Sequence, residues 1–183
     1  MAMRLSKDDW ERQYRKGKWS YLATEQEAER YAQLGKYLNA FCPRGKVLDV
    51  GCGFGLLAEG LKEQQYLGID FSTAALSRAP QVEKKKVSFE CFSAEAFTTE
   101  EQFDVIVFNE VLYYFQEPAE VLDKYETMLK PQGYFIFSLW KHPKTVLLWE
   151  WLQKRYVLKE AAEARHTDSG NAWLIGVFQL QEK

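Results

Sequence analysis

Apolar positions along the chain fall into short dense runs separated by amphipathic stretches. KVLDV (46–50), QYLGID (65–70), VSFECF (87–92), FDVIVFN (103–109) and GYFIFSLW (133–140) have strand length and are rich in β-branched and aromatic residues. The stretches between them read as helices: FGLLAEGLK (54–62), STAALSRA (72–79, stopped by Pro80), Pro118 to about Leu129, and a Trp- and Leu-rich segment near 143–155. Val121, Leu122, Tyr125 and Leu129 share one face of the third, and Pro131 follows its end. Ahead of the first strand, residues 25–39 put Ala28, Tyr31, Gly35 and Leu38 on one stripe, which predicts a helix packed on a flat surface.

Strands apolar on both faces, separated by helices, predict a mostly parallel sheet covered on both sides, because each parallel crossover needs a helix to return the chain. The tail differs. VLKEAAEARH, the turn-like TDSGN and AWLIGVFQL read as two strands joined tightly, an antiparallel hairpin that brings the sheet to seven strands. The expected fold is doubly wound α/β, Rossmann-like. No repeat, low-complexity tract or linker divides residues 1–183, so one domain is expected: an N-terminal helical segment over 1–45 and a core over 46–183.

Composition adds exclusions. With 24 basic against 26 acidic residues and 46% apolar content, the chain has no charge excess to bind nucleic acid. Cys42, Cys52 and Cys91 are too widely spaced for a zinc site or a disulfide framework, and no carboxylate or histidine cluster suggests another metal. The start MAMRLSKDDW has no apolar signal region, and YFIFSLW is too short to span a bilayer. A cytoplasmic protein with no membrane partner is expected, and no pattern specifies an oligomeric state.

Candidate chemistry begins at VLDVGCGFG. Gly51, Gly53 and Gly55 fall on the turn after the first strand, where a doubly wound fold brings its backbone nearest a ligand, and glycines there admit positive φ and close approach. Asp70 ends the second strand, where a carboxylate takes both hydroxyls of a ribose or caps the helix after it. Two nucleoside cofactors compete. A nicotinamide dinucleotide prefers G-x-G-x-x-G, and here the spacing is G-x-G-x-G. Asp49 would repel a pyrophosphate but suits a sulfonium carrying an ammonium group, so charge favours S-adenosyl-L-methionine.

These segments, with YLGIDFS, FSAEAF, FDVIVFNEVLYYF and LKPQGYFIFSLW following in order, resemble the class I S-adenosylmethionine-dependent methyltransferases, especially the small-molecule kind called type 11 or type 12. The resemblance covers Val47 to Trp140, and the terminal hairpin is similar to that family's sixth and seventh strands. It implies a transferase that passes a methyl group to a small-molecule acceptor by in-line displacement and leaves S-adenosyl-L-homocysteine. It also implies that Asp49, Gly51, Cys52, Gly53 and Gly55 line the methionine side, that Asp70 with Ser72 holds the ribose side, and that Phe71 lies against the adenine. Ser93, Ala94 and Glu95 match the segment that reads the adenine edge, although the family usually has Asp where this chain has Ser93.

Asn109 and Glu110 end the fourth strand, where the methionine moiety meets the acceptor; Asn109 holds the ammonium or simply finishes a loop. Glu110, Tyr114 and His142 are the candidate bases and orienters, with Tyr113 and His166 behind them; for the tyrosines the alternative is aromatic packing. The aromatic segment before the sheet, with Trp10, Tyr14, Trp19 and Tyr21, is expected to fold over the cofactor as a lid, to pack on the sheet edge, or to do both. Arg30 either pairs with the methionine carboxylate or is solvated. A non-catalytic S-adenosylmethionine-binding protein or partner subunit is the runner-up, and a nicotinamide oxidoreductase is the third reading.

Overall fold

The computed structural model describes residues 6–80, 86–166 and 169–181. Seven strands form one sheet: β1 (Lys46–Val50), β2 (Gln65–Asp70), β3 (Val87–Cys91), β4 (Phe103–Asn109), β5 (Leu129–Trp140), β6 (Val157–Arg165) and β7 (Ala172–Gln179). Their order is β3-β2-β1-β4-β5-β7-β6. The first five run parallel, β7 is antiparallel to β5, and β6 is antiparallel to β7. The doubly wound sheet and terminal hairpin are therefore as expected, with β7 inside and β6 at the edge. Thr167 and Asp168 of the anticipated turn lie outside the described residues.

Alternation along β1 and β4 sends side chains to two cores. Leu48, Val50, Ile106 and Phe108 pack on one face with Phe135, Phe137, α4 (Pro118–Glu126) and α5 (Pro143–Arg155). Val47, Val105 and Val107 pack on the other with Ile136 and with Leu34, Tyr37 and Leu38 of α2 (Ala28–Phe41). The strand order reverses at β1 and β4, so the crevice beyond their carboxyl ends is where this architecture receives a ligand.

Three expectations need correction. FGLLAEGLK is not an α-helix. The glycine loop takes the first residues of the β1–β2 connection, Gly55 is left-handed, and only a 3₁₀ turn, Leu56–Gly60, fits before β2, burying Leu57 and Ala58. The next helix, α3, is one turn, Thr73–Leu76. Finally, Leu129 belongs to β5 and not to α4, pairing with Phe103; Pro131 is accommodated because the β4–β5 register shifts between Phe103 and Val105.

The N-terminal segment forms its own helix, α1 (Lys7–Arg15), started by a Ser6–Asp9 capping box. Two 3₁₀ turns, Ser20–Ala23 and Glu25–Glu27, lead from it into α2.

Candidate functional site

The loop after β1 is held in a conformation that only glycine adopts without strain. Gly51, Gly53 and Gly55 have φ of 71°, 54° and 68°. Space is also short: a Cβ on Gly51 would lie 2.6 Å from Val111 Cγ2, and one on Gly55 would meet the Phe89 ring. Gly51 and Cys52 both donate their amides to the Ile69 carbonyl, at 2.8 and 3.0 Å, and Gly53 donates to Asp70 Oδ2 at 2.9 Å. Burial pushes the Cys52 thiol well above its usual range.

Asp70 thus closes the loop onto the end of β2, while its Oδ1 accepts from the Ser72 amide at 2.8 Å. Its carboxyl is raised by burial and lowered in part by these two amides. The cap of α3 is not Asp70 but Ser72, whose Oγ accepts from the Ala75 amide at 3.1 Å. Phe71, beside the acid, forms an edge-to-face pair with Trp10 of α1 at 6.5 Å between ring centres.

Asp49 lies buried beneath the same loop. Its Oδ2 accepts from the Tyr66 hydroxyl at 2.6 Å, and its Oδ1 is buried without a hydrogen-bond partner. Burial pushes its pKa up to about 7, against the Tyr66 bond and nearby Arg30 and together with the charge of Asp70. A buried carboxylate oxygen left unmatched beside the glycine loop is complementary to a cation.

A second buried group joins α2 to β4. Arg30, 1% exposed, donates Nε and Nη2 to Glu27 Oε2 at 2.9 and 2.7 Å and Nη1 to Asn109 Oδ1 at 2.5 Å. Its guanidinium lies 4.7 Å from the Tyr31 ring centre and 5.3 Å from that of Trp173. Arg30 is therefore neither solvated nor unpaired, since Glu27 matches its charge. The Asn109 amide oxygen faces Arg30, so of the two readings of this residue its side-chain oxygen has a partner within the protein.

Glu110 follows at the crevice with φ 61°, the single non-glycine residue in the left-handed region among the described residues. Its Oε2 accepts from the Tyr113 hydroxyl at 2.8 Å and its Oε1 from Ser138 Oγ at 3.3 Å. Burial raises its pKa to about 7, opposed by Arg30, Tyr113 and Ser138. Tyr114 and Tyr21, each nearly half exposed, are close enough for Glu110 to raise them both, though burial is the larger cause.

Other sequence candidates have structural duties. Ser93 Oγ accepts from the Ala96 amide at 3.2 Å, and the Ala94 and Glu95 carbonyls accept from Lys124 Nζ at 2.6 and 2.9 Å, which fixes this loop on α4. His142 is the N-cap of α5: its Nδ1 accepts from the Lys144 amide at 3.4 Å and its ring stacks on Trp140. His166 accepts from the Ser169 amide in the hairpin turn, on a different element from Glu110.

Over the loop lies α1. Glu11 accepts from the Ser72 and Thr73 hydroxyls and, at 3.1 Å, from the Ala74 amide. The Tyr14 hydroxyl lies 3.3 Å from where a Gly53 Cβ would be, and Trp10 stacks on Trp19 at 5.0 Å. Glu11, Glu27, Tyr66 and Ser138 are site residues that sequence reasoning missed. The Ser6-x-x-Asp9 spacing signals the helix that carries Glu11, whereas nothing local marks Tyr66.

A family model described as a methyltransferase domain matches residues 21–169. The chain belongs to that family. Its sheet is that of the class I S-adenosylmethionine-dependent methyltransferases. Among solved structures, the N-methyltransferase NodS from Bradyrhizobium japonicum WM9, in complex with S-adenosyl-L-homocysteine, superposes with a TM-score of 0.74 at 25% identity over 90% of this chain and 92% of that one. A Burkholderia thailandensis 1,6-didemethyltoxoflavin-N1-methyltransferase gives 0.78 at 17% identity, over 96% and 87%, a likeness of fold alone.

Curated relatives named ubiquinone biosynthesis O-methyltransferase are 31% identical over 131 residues in Stutzerimonas stutzeri A1501 and 38% identical over 129 in Pseudomonas putida W619. Each alignment takes in 66% of this methyltransferase domain and 55% of the relative. The chain thus spans about half the length of the curated relatives it matches.

Proposed function

We propose that this domain transfers a methyl group from S-adenosyl-L-methionine to a small-molecule acceptor, releasing S-adenosyl-L-homocysteine. The observation that carries the reading is the unpartnered, buried Oδ1 of Asp49 beneath three left-handed glycines that Asp70 ties to β2. Names of relatives on both sides, O-methyltransferases by sequence and an N-methyltransferase bound to S-adenosyl-L-homocysteine by structure, support the same class of reaction.

When bound, the cofactor supplies a methyl group on a sulfonium, which needs no further activation to leave. The protein's task is then chiefly to bind and orient. Asp49 matches the cationic end. The Gly51–Gly55 backbone would hold the amino-acid portion, Asp70 and Ser72 the ribose, and Phe71 with Ser93, Ala94 and Glu95 the adenine. Of the bases expected from sequence, Glu110 is the one whose carboxyl follows β4 directly and has hydroxyl support, from Tyr113 and Ser138. In the proposed cycle α1 lifts to admit the nucleoside and closes over it, with Tyr14 and Trp10 excluding water. Holding acceptor and donor in near-attack geometry is worth effective molarities on the order of 10⁵–10⁸ M in model reactions. A small acceptor is favoured because the connections from β4 to α4 and from β5 to α5 are short and add no recognition segment.

Calorimetry with S-adenosyl-L-methionine, S-adenosyl-L-homocysteine and NAD, followed by labelled methyl transfer to a metabolite panel, tests this reading. Binding of the first two and turnover of at least one acceptor is expected. A preference for NAD rejects it, and tight binding without transfer to any acceptor moves the domain to a cofactor-binding role.

A further inference from the structure

Of the two carboxylate oxygens beneath the glycine loop, one is already taken within the protein. We propose that Tyr66 is a positioning residue for the cofactor: its hydroxyl engages Oδ2 of Asp49 and so reserves Oδ1 for the ligand's ammonium group, which is bound in exchange for a proton. This rests on the proposed function and adds to it the residue that orients the cofactor's acid and a proton linked to binding.

Strand register brings the two side chains together. In the β1–β2 pair Tyr66 is opposite Val47 and Asp49 is opposite Gly68, so Tyr66 leans diagonally along the sheet to reach the acid. Gly68 leaves the space for it: a Cβ there would lie 3.0 Å from Tyr66 Cε1 and 2.9 Å from Cys52 Sγ. Phe89 forms an edge-to-face pair with the Tyr66 ring at 5.7 Å between centres. Tyr66 and Asp49 are each 2% exposed, and the hydroxyl donates to Oδ2 across 2.6 Å. A phenol has one hydrogen to give, so Tyr66 cannot also serve Oδ1. Among the described residues Oδ1 has no hydrogen-bond partner. Arg30, whose charge acts on Asp49, directs its own hydrogen bonds to Glu27 and Asn109. A buried carboxylate oxygen in this position is satisfied either by a proton of its own or by a donor that the ligand brings.

The surrounding groups decide when Asp49 holds that proton. Burial raises it most, the Tyr66 bond lowers it, Asp70 from the end of β2 raises it and Arg30 from α2 lowers it, with the outcome about 7. Tyr31 of α2 and Cys52 of the loop feel its charge and keep their own protons, since burial raises both. Burial likewise pushes Tyr66 well above its ordinary range, so it remains a donor throughout. Below about pH 7 the free protein carries a proton on Asp49 that the complex lacks, and affinity climbs as pH rises; above it the acid is already ionised and affinity levels off. In the exchange the Oδ1–H bond breaks, the proton passes to water, and an ammonium N–H takes its place on Oδ1.

The test is calorimetric titration of wild type, Tyr66→Phe and Asp49→Asn with S-adenosyl-L-homocysteine, which carries the ammonium group and has no methyl group to transfer. Each titration is run in buffers of low and high ionisation enthalpy, whose difference in heat counts released protons. Phenylalanine keeps the ring and its volume against Phe89, so Tyr66→Phe keeps the fold; asparagine keeps an acceptor for Tyr66. Wild type is expected to release about 0.9 proton at pH 6 and about 0.1 at pH 8. Loss of a hydrogen bond to a charged group moves the Asp49 titration up by about 1–2 pH units in Tyr66→Phe. Its affinity should then be about 5–50-fold weaker than wild type at pH 7 and within about twofold at pH 9. Asp49→Asn should bind about tenfold or more weakly at pH 8 and lack the linked proton. Wild-type binding without a linked proton, a Tyr66→Phe affinity equal to wild type at pH 7 or lowered by one factor at every pH, or the wild-type proton count in Asp49→Asn would each overturn this inference and leave the methyltransferase reading standing. Should wild type not bind S-adenosyl-L-homocysteine, that reading falls and this inference with it.

Discussion

Gly53 donates its amide hydrogen to Asp70 across 2.9 Å, so the loop after the first strand and the acid ending the second form one mechanical unit. The acid therefore has a duty before any ligand arrives. It keeps Gly53 at φ 54°, where the chain passes beneath Tyr14, and through Oδ1 it fixes the turn that Ser72 then caps.

Asp70→Asn tests this coupling. The side chain keeps its shape but turns one acceptor into a donor, which leaves either the Gly53 or the Ser72 amide unpaired in a buried place. Losing one charge-assisted bond there costs about 1–3 kcal/mol, somewhat offset because the neutral amide avoids the burial penalty that raises Asp70. A melting temperature lower by about 2–10 °C and S-adenosyl-L-methionine affinity reduced by tenfold or more are expected from calorimetry. Unchanged melting and affinity would remove Asp70 from both roles.

The sheet was legible because a buried parallel strand has to be apolar on both faces, and FDVIVFN is that pattern almost without interruption. The glycine loop was legible too, as three glycines at alternate positions leave few other uses. What the chain concealed was long-range. Tyr66 meets Asp49 across neighbouring strands, and Arg30 meets Asn109 across 79 positions of sequence. FGLLAEGLK has helical spacing, yet a left-handed Gly55 and the short distance to β2 leave room for one 3₁₀ turn. The strain at Glu110 has no local signature, since glutamate does not prefer positive φ. His142 looked like chemistry because it follows a strand, and its place is a helix cap.

Asp49 predicts a pH dependence. Its folded value of about 7 lies above the ordinary carboxyl value near 4, so between the two the folded state binds a proton that the unfolded chain has lost. Stability from this group is full below about pH 4 and declines as pH rises through 7, by about 4 kcal/mol at most; Glu110 acts in the same direction. Asp49→Asn removes the dependence at that site while keeping an acceptor for Tyr66. Urea unfolding at pH 8 is expected to find the variant about 1–3 kcal/mol more stable than wild type, after allowing for its new buried donor. S-adenosyl-L-methionine binding should fall. A variant whose stability tracks wild type in parallel from pH 4 to 8 would contradict the assignment.

The Glu27–Arg30 pair predicts a coupling. Both side chains are almost fully buried, and Arg30 also supplies the partner for Asn109 and lowers the carboxyl of Glu110. Arg30→Met leaves the buried Glu27 carboxylate with no counter-charge, and Glu27→Leu leaves an unmatched guanidinium beside Tyr31 and Trp173; removing one member of a buried pair typically costs about 3–5 kcal/mol. Replacing both removes the unmatched charge along with the attraction, so the double variant should be more stable than either single one by at least about 2 kcal/mol. Denaturant unfolding of the four proteins measures this directly. In the double variant Glu110, without its cationic neighbour, should also titrate higher than about 7. Additive losses would show that the two charges act independently and that α2 is not tied to β4 through them.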